Sequence, residues 1–376
     1  MKHFFKIYPL LLLVAFVSCN KQLNVFPTTQ EVDGNVITDK QSAQTTLNGV
    51  YYLFANAGFD NNQNPSILWC DLNEMIPSEL SGTMTYPYGG IYFADHTYLP
   101  SSSGVGNIWD YGYKIVNAAN GFLKNIAPVN NINVSDKQEM IAEAKFLRAY
   151  ANAELLFYYG QYDDVSSQYG IILRKDFVTT DNLAQPRSTV KDCYDFILAD
   201  LADAISGLPD LNSQNYYANV WAARLLKARV LMVRGASGDY TGVVGLCKSI
   251  IDSSNFTLEA NTKDIFLSKG LSSSEVILGI KPYDNDIYKY NEYLYYRQAV
   301  GSDSMVSLFA GDPRKDWTYQ TIPNPYYGGN MYVFTKYFSG SADDPSPTSN
   351  ASVSYAPYRS LFAGSGSDRC GGRKYE

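Results

Sequence analysis

Residues 142–162 read AEAKFLRAYANAELLFYYGQY, and this stretch decides the fold. At 100° per residue, Ala142, Phe146, Tyr150, Ala153 and Phe157 fall on one stripe of a helix. Lys145, Arg148 and Asn152 share only a narrow opposing stripe. Most of the circumference is apolar, so the helix is expected to be buried on several sides. Ser135 is the expected N-cap, with Gln138 completing a capping box. Gly160 is expected to take the left-handed C′ position.

The chain is long enough, at 376 residues, to bury a large core, and its 45% hydrophobic content is that of a folded protein. A net charge of −7 argues against nucleic acid and anionic lipid as partners. The 32 tyrosines stand out against 18 Phe and 4 Trp. Tyrosine combines a flat apolar face with a hydroxyl, which suits contact surfaces.

At the N-terminus, Lys2 and Lys6 precede an apolar run from Leu10 to Val17 that is too short to span a bilayer. It ends at Phe16-Val17-Ser18-Cys19, which resembles a bacterial lipobox with Phe16 where Leu is usual. Residues 1–18 are therefore read as a lipoprotein signal peptide and Cys19 as the lipidated mature N-terminus. Residues 19–40 are polar and read as a linker. The spacings of Cys70, Cys193, Cys247 and Cys370 match no metal motif, and Cys193 and Cys247 are expected to be buried free thiols.

Helices are expected over Gln41–Asn56, Ile108–Ile126, Val190–Ser206, Tyr216–Arg234 and Tyr240–Ser253. Thr189 and Asp192 form a capping box before the third of these. The hairpin around the turn Gly235–Asp239, with small residues at Ala222, Ala223 and Ala228, resembles a tetratricopeptide unit without a strict 34-residue period. Glu275–Ile280 alternates as a short strand would. Two zones, about 81–107 and 283–330, are Tyr-rich and irregular, as functional loops are. The expected fold is mostly α, a TPR-like superhelix of helical hairpins with long irregular Tyr-rich loops and minor short strands.

Several segments in order now resemble one family. They are Leu47-Asn48-Gly49-Val50-Tyr51; Ile108-Trp109 through Tyr113 to Asn120; Ala142-Glu143-Ala144-Lys145-Phe146-Leu147-Arg148-Ala149; Thr189–Pro209 with Tyr194, Asp200-Leu201 and Ala204; Ala222–Leu231; Glu275-Val276-Ile277; and Asp312-Pro313-Arg314. Together they are similar to the SusD/RagB family of lipid-anchored nutrient-binding proteins of Bacteroidetes outer membranes. The resemblance runs from Cys19 to about Arg359. It implies one nutrient-binding domain over residues 41–360. Past Tyr358-Arg359 the family continues into further helices, whereas residues 361–376 form an irregular Gly/Ser-rich tail; a truncation or frameshift near Leu361 is the expectation. Asn20-Lys21-Gln22 after Cys19 lacks the acidic residues that accompany surface display in this phylum.

The resemblance implies capture of a glycan at the cell surface and its delivery to a SusC-like TonB-dependent transporter. The protein would be held at the outer membrane by its lipid, facing the cell exterior, and would not be an enzyme. The weighed alternatives are a peptide-type nutrient, a glycoside hydrolase and a purely structural transporter subunit. Sugars present apolar C–H faces and rings of hydroxyls, which aromatic and amide side chains recognise. The candidate ligand contacts are Tyr86, Tyr88, Tyr92 and Tyr98 in one cluster and Asn285, Tyr288, Tyr290 and Tyr293 in another. Beyond the signal, His96 is the one histidine in the sequence, so a histidine metal cluster or a Ser-His-Asp triad lacks parts. Glu143 and Glu154 lie near the apolar side of the long helix, but eleven residues separate them by roughly 16 Å, too far for a glycosidase pair. They are expected to pair with an arginine of a neighbouring helix or with a backbone group. Asp284-Asn285-Asp286 resembles the start of a calcium loop, yet Tyr288 and the missing glycine break the EF-hand pattern. No cofactor is expected, a loop calcium being the weaker alternative.

Overall fold

A computed structural model describes residues 36–55, 74–88, 93–253, 255–280, 291–325 and 327–337. The signal peptide, Cys19, most of the linker and the tail 361–376 lie outside the described residues. So do Asp284, Asp286 and the Tyr358-Arg359 boundary.

The central helix, α4 (Val134–Tyr159), follows α1 (Lys40–Ala55), α2 (Ile76–Leu80) and α3 (Ser103–Ile126). Every residue of α4 from Ala142 to Leu156 except Lys145 is buried, so the helix is enclosed as its pattern requires. Helices α1, α3 and α5 (Val190–Gly207) pack around it, and α6 (Val220–Arg234) forms a hairpin with α7 (Asp239–Asp252). The mostly helical, TPR-like hairpin architecture is thus the one observed. Among the described residues no helix is long and apolar enough to cross a membrane.

The ends of α4 differ from expectation. Asn133 is the N-cap, its side chain accepting from the Ser135 N–H at 2.8 Å. Gly160 is extended (φ −98°, ψ 163°), not left-handed. Its value is space: a Cβ there would sit 2.6 Å from a Leu156 methyl and 2.9 Å from the Leu156 carbonyl. Thr189 caps α5 as expected, its hydroxyl accepting from the Asp192 N–H at 3.0 Å. The α6–α7 turn is clamped by Arg234, which donates to both carboxylate oxygens of Asp239 at 2.8 and 2.6 Å.

A polar knot ties α3, α4 and α5 together inside the bundle. Arg148 donates from Nε and Nη2 to Asp200 at 2.8 and 2.7 Å and from Nη1 to Asn120 Oδ1 at 2.7 Å. Asn120 in turn donates to the carbonyls of Arg174 and Asp176. The guanidinium lies 4.8 Å from the Phe196 ring centroid.

Cys193 is a buried free thiol, but Cys247, also buried, is disulfide-bonded. Glu275–Ile280 is not an extended strand; within it only Ile280 forms a β-bridge. Val276, Ile277, Leu278 and Ile280 are buried, but their backbone partners lie beside α6: Asn219 Nδ2 donates to the Ile277 carbonyl and the Gly279 N–H to the Asn215 carbonyl, each at 2.7 Å. The strands lie elsewhere. β1 (Met84–Thr85), β2 (Val300–Gly301), β3 (Tyr319–Pro323) and β4 (Asn330–Phe334) form an antiparallel sheet in the order β1-β2-β4-β3. Two short helices, α8 (Asp303–Leu308) and α9 (Lys315–Thr318), link β2 to β3. The zone 283–330, expected to be irregular, therefore contains half of a hairpin.

Candidate functional site

The sheet carries the tyrosines to one place. β1 runs directly into Tyr86-Pro87-Tyr88, and the rings of Tyr86 and Tyr88 meet edge to face at 5.1 Å. The approach to β2 carries Tyr295 and Tyr296, whose rings meet edge to face at 4.9 Å. Arg297 follows at φ +55°, an uncommon setting for a residue with a Cβ, and redirects the chain into β2. The β3–β4 turn carries Tyr327. Gly328 and Gly329, at φ +74° and +75°, close that turn in a conformation that disfavours side chains, and Asn324 N–H donates to the Gly329 carbonyl at 3.0 Å.

Two hydrogen bonds pin the three segments. The Tyr88 hydroxyl donates to the Tyr296 carbonyl at 2.7 Å, and the Tyr327 hydroxyl donates to the Tyr88 carbonyl at 2.6 Å. Both join residues more than 200 positions apart in sequence. Three of the rings are open to solvent, Tyr295 at 49%, Tyr296 at 50% and Tyr327 at 68% exposure, while Tyr86 and Tyr88 are half-buried. The result is a surface platform of phenol rings, two of which, Tyr88 and Tyr327, are anchored to backbone carbonyls of the neighbouring segments.

The remaining candidates divide. Tyr98 is 41% exposed and lies against Phe93, with ring centroids 5.4 Å apart. Tyr293 is only 1% exposed; its hydroxyl donates to Glu74 Oε2 at 3.1 Å and its ring stacks on Tyr337. It supports the interior beneath the loops and presents no face to solvent. Tyr92, Asn285, Tyr288 and Tyr290 lie outside the described residues. Tyr295, Tyr296 and Tyr327 were not singled out by sequence, although all three fall in the second Tyr-rich zone and Tyr327 directly precedes a Gly-Gly turn.

The carboxylates of α4 are engaged in separate helix contacts. Glu154 pairs with Arg229 of α6 at 3.1 Å, as expected. Glu143 accepts from the Tyr51 hydroxyl of α1, which itself accepts from the Ala218 N–H at 2.8 Å, so its partner is a phenol and not an arginine. Burial pushes the Glu143 carboxyl up to about 8, with the Tyr51 hydrogen bond opposing the shift. His96 is exposed, and among the described residues no group of three or more His, Cys, Asp and Glu side chains could hold a metal ion.

Comparison with known proteins agrees with this architecture. Residues 69–232 match the model of the SusD-like family described as starch-binding associating with outer membrane. A SusD-like protein of Bacteroides ovatus is 23% identical over 277 residues, 71% of this chain and 47% of that protein, so the match spans about half the length of the curated relative. The crystal structure of a SusD superfamily protein from Bacteroides vulgatus is 19% identical and superposes with a TM-score of 0.67, covering 80% of this chain and 69% of that one. A SusD-like carbohydrate binding protein from the same species gives 0.64 at 15% identity, covering 81% and 67%. A structure determined with a xylogluco-oligosaccharide gives 0.61 at 19% identity, covering 77% and 63%. Over residues 69–232 the chain is thus similar to the SusD-like family, and its helical core has the fold of SusD superfamily structures.

Proposed function

We propose that this protein captures a glycan on the platform formed by Tyr88, Tyr295, Tyr296 and Tyr327, with Tyr86 beside it, and passes it to a SusC-like TonB-dependent transporter. It is held at the outer membrane through a lipid on Cys19, faces the cell exterior and performs no catalysis. The observation that carries the reading is the cluster itself: the exposed rings of Tyr295, Tyr296 and Tyr327 lie beside the half-buried Tyr86 and Tyr88, and the Tyr88 and Tyr327 hydroxyls are anchored to backbone carbonyls. Aromatic faces suit the C–H faces of pyranose rings, and tyrosine, with two χ angles, loses little side-chain entropy when it binds. The carbohydrate-binding and oligosaccharide-bound relatives support the same ligand class. Glu143 and Glu154, held in separate contacts with α1 and α6, supply no glycosidase pair.

Isothermal titration against a panel of soluble polysaccharides tests this reading. At least one glycan binds without release of reducing ends. Tyr296→Ala and Tyr327→Ala each weaken it by roughly tenfold, the worth of about one aromatic contact. Tyr327→Phe, which keeps the ring and removes only the pin to Tyr88, weakens it less. Unchanged affinity in both alanine variants would remove the platform from the site.

A further inference from the structure

Among the described strands β1 neighbours β2 alone, through two register pairs, Met84 opposite Gly301 and Thr85 opposite Val300. A ladder of two pairs is marginal by itself, and strands this short fix their register weakly. Yet the register decides whether the Tyr88 hydroxyl, beyond one end of the ladder, meets the Tyr296 carbonyl. Ser302 lies beyond the other end, directly after β2. Its N–H donates to the Thr83 carbonyl at 3.1 Å, and its hydroxyl donates to the Gly82 carbonyl at 2.6 Å. Both carbonyls belong to a turn that is itself held to α2. The Gly82 N–H donates to the Glu79 carbonyl and the Thr83 N–H to the Ser78 carbonyl, each at 2.9 Å. The same Ser302 hydroxyl accepts from the Met305 N–H at 3.2 Å and so caps α8.

One side chain thus has two separable duties. As a cap it needs only an acceptor, which Thr and Asp also supply. As a clasp on Gly82 it must donate, which a hydroxyl does and an ionised carboxylate cannot. The clasp bears on the platform because a slip of one residue turns every side chain of β1 to the other face. Such a slip would break both pins of the platform, since Tyr88 donates in one and accepts in the other.

We infer that Ser302 is a positioning residue of the tyrosine platform: by clasping the turn before β1, its hydroxyl sets the register that places Tyr86 and Tyr88 beside Tyr296 and Tyr327. Its effect on binding rests on the platform being the glycan site; its effect on register does not. Amide hydrogen exchange of the full chain, followed by mass spectrometry over residues 83–88 and 295–302, therefore reads the clasp without any glycan. Ser302→Ala and Ser302→Asp exchange roughly 2- to 10-fold faster there than the wild type, the worth of one neutral hydrogen bond, whereas Ser302→Thr exchanges as the wild type does. Affinity for a soluble polysaccharide that the wild type binds follows the same order. It falls by a similar factor in the Ala and Asp variants, because fewer chains hold an assembled platform, and is kept by Thr. A role in capping alone makes Ser302→Asp match the wild type in both measurements, and that result overturns the inference. Unchanged exchange in folded Ser302→Ala overturns it too, as does a loss of affinity in Ser302→Thr equal to that in Ser302→Ala. Absence of glycan binding by the wild type, with the exchange order intact, sinks the glycan reading of the platform and supports the clasp.

Discussion

Replacing Arg148 by Met tests what ties α3, α4 and α5 together. In the bundle, Arg148 makes two hydrogen bonds to Asp200, one to Asn120 and a longer one of 3.3 Å to the Lys175 carbonyl. Methionine fills much of the volume but leaves the Asp200 carboxylate, at 4% exposure, and Asn120 Oδ1 without their donors. Removing one partner of a buried ion pair costs about 3–5 kcal/mol, because the remaining charge stays desolvated. Asp200→Leu alone strands the guanidinium and should cost a similar amount. The double variant removes both charges, so it should cost less than the sum, with a coupling of about 2 kcal/mol or more. Equilibrium unfolding in urea at pH 7, for the four members of the cycle, measures this directly. Glycan affinity of the folded variants should equal that of the wild type. A loss below about 1 kcal/mol for Arg148→Met, or strict additivity in the double variant, would refute the assignment of this cluster as the buried tie of α3, α4 and α5.

Two further predictions concern α4. Because burial raises the Glu143 carboxyl from an ordinary value near 4.5 to about 8, the folded state holds a proton there that the unfolded state has released. The associated stability is fully present below pH 4.5, falls by up to about 1.4 kcal/mol per pH unit above it and is lost once the pH passes 8. Glu143→Gln should flatten that decline between pH 5 and 8 in urea titrations; an unchanged slope would show that Glu143 does not cause it. Asn133→Ala should cost about 1 kcal/mol through loss of the cap, whereas Ser135→Ala should cost clearly less. The reverse order of the two melting temperatures would restore Ser135 as the cap.

How far the sequence reached is decided by how local each feature is. The burial of α4 was readable because its pattern is contained within the helix itself, as was the Thr189 cap, which needs only Asp192 three residues on. The α4 cap was misplaced because Asn133 and Ser135 are both good capping residues, and only the fold shows the first accepting from the backbone of the second. Glu275–Ile280 alternates like a strand, but Ile277 and Gly279 find partners in Asn219 and Asn215, 58 and 64 residues earlier, and no sequence period records that. The same limit explains the sheet. Strands of two residues carry no pattern, and β1 finds β2 across more than 200 positions. The platform follows from that pairing. Composition could mark two tyrosine-rich zones as functional loops, yet it could not tell that Tyr88 meets Tyr296 and Tyr327, or that Tyr293, two residues before Tyr295, turns inward to Glu74. In this chain Asn120, Arg148 and Asp200 hold the scaffold through mutual contacts in the core. The proposed ligand chemistry sits in long-range contacts among loops, where a substitution can be made without disturbing those core contacts. Ligand specificity should therefore follow the loops, and the identity of the bound glycan should change with Tyr296 and Tyr327 before it changes with any residue of α4.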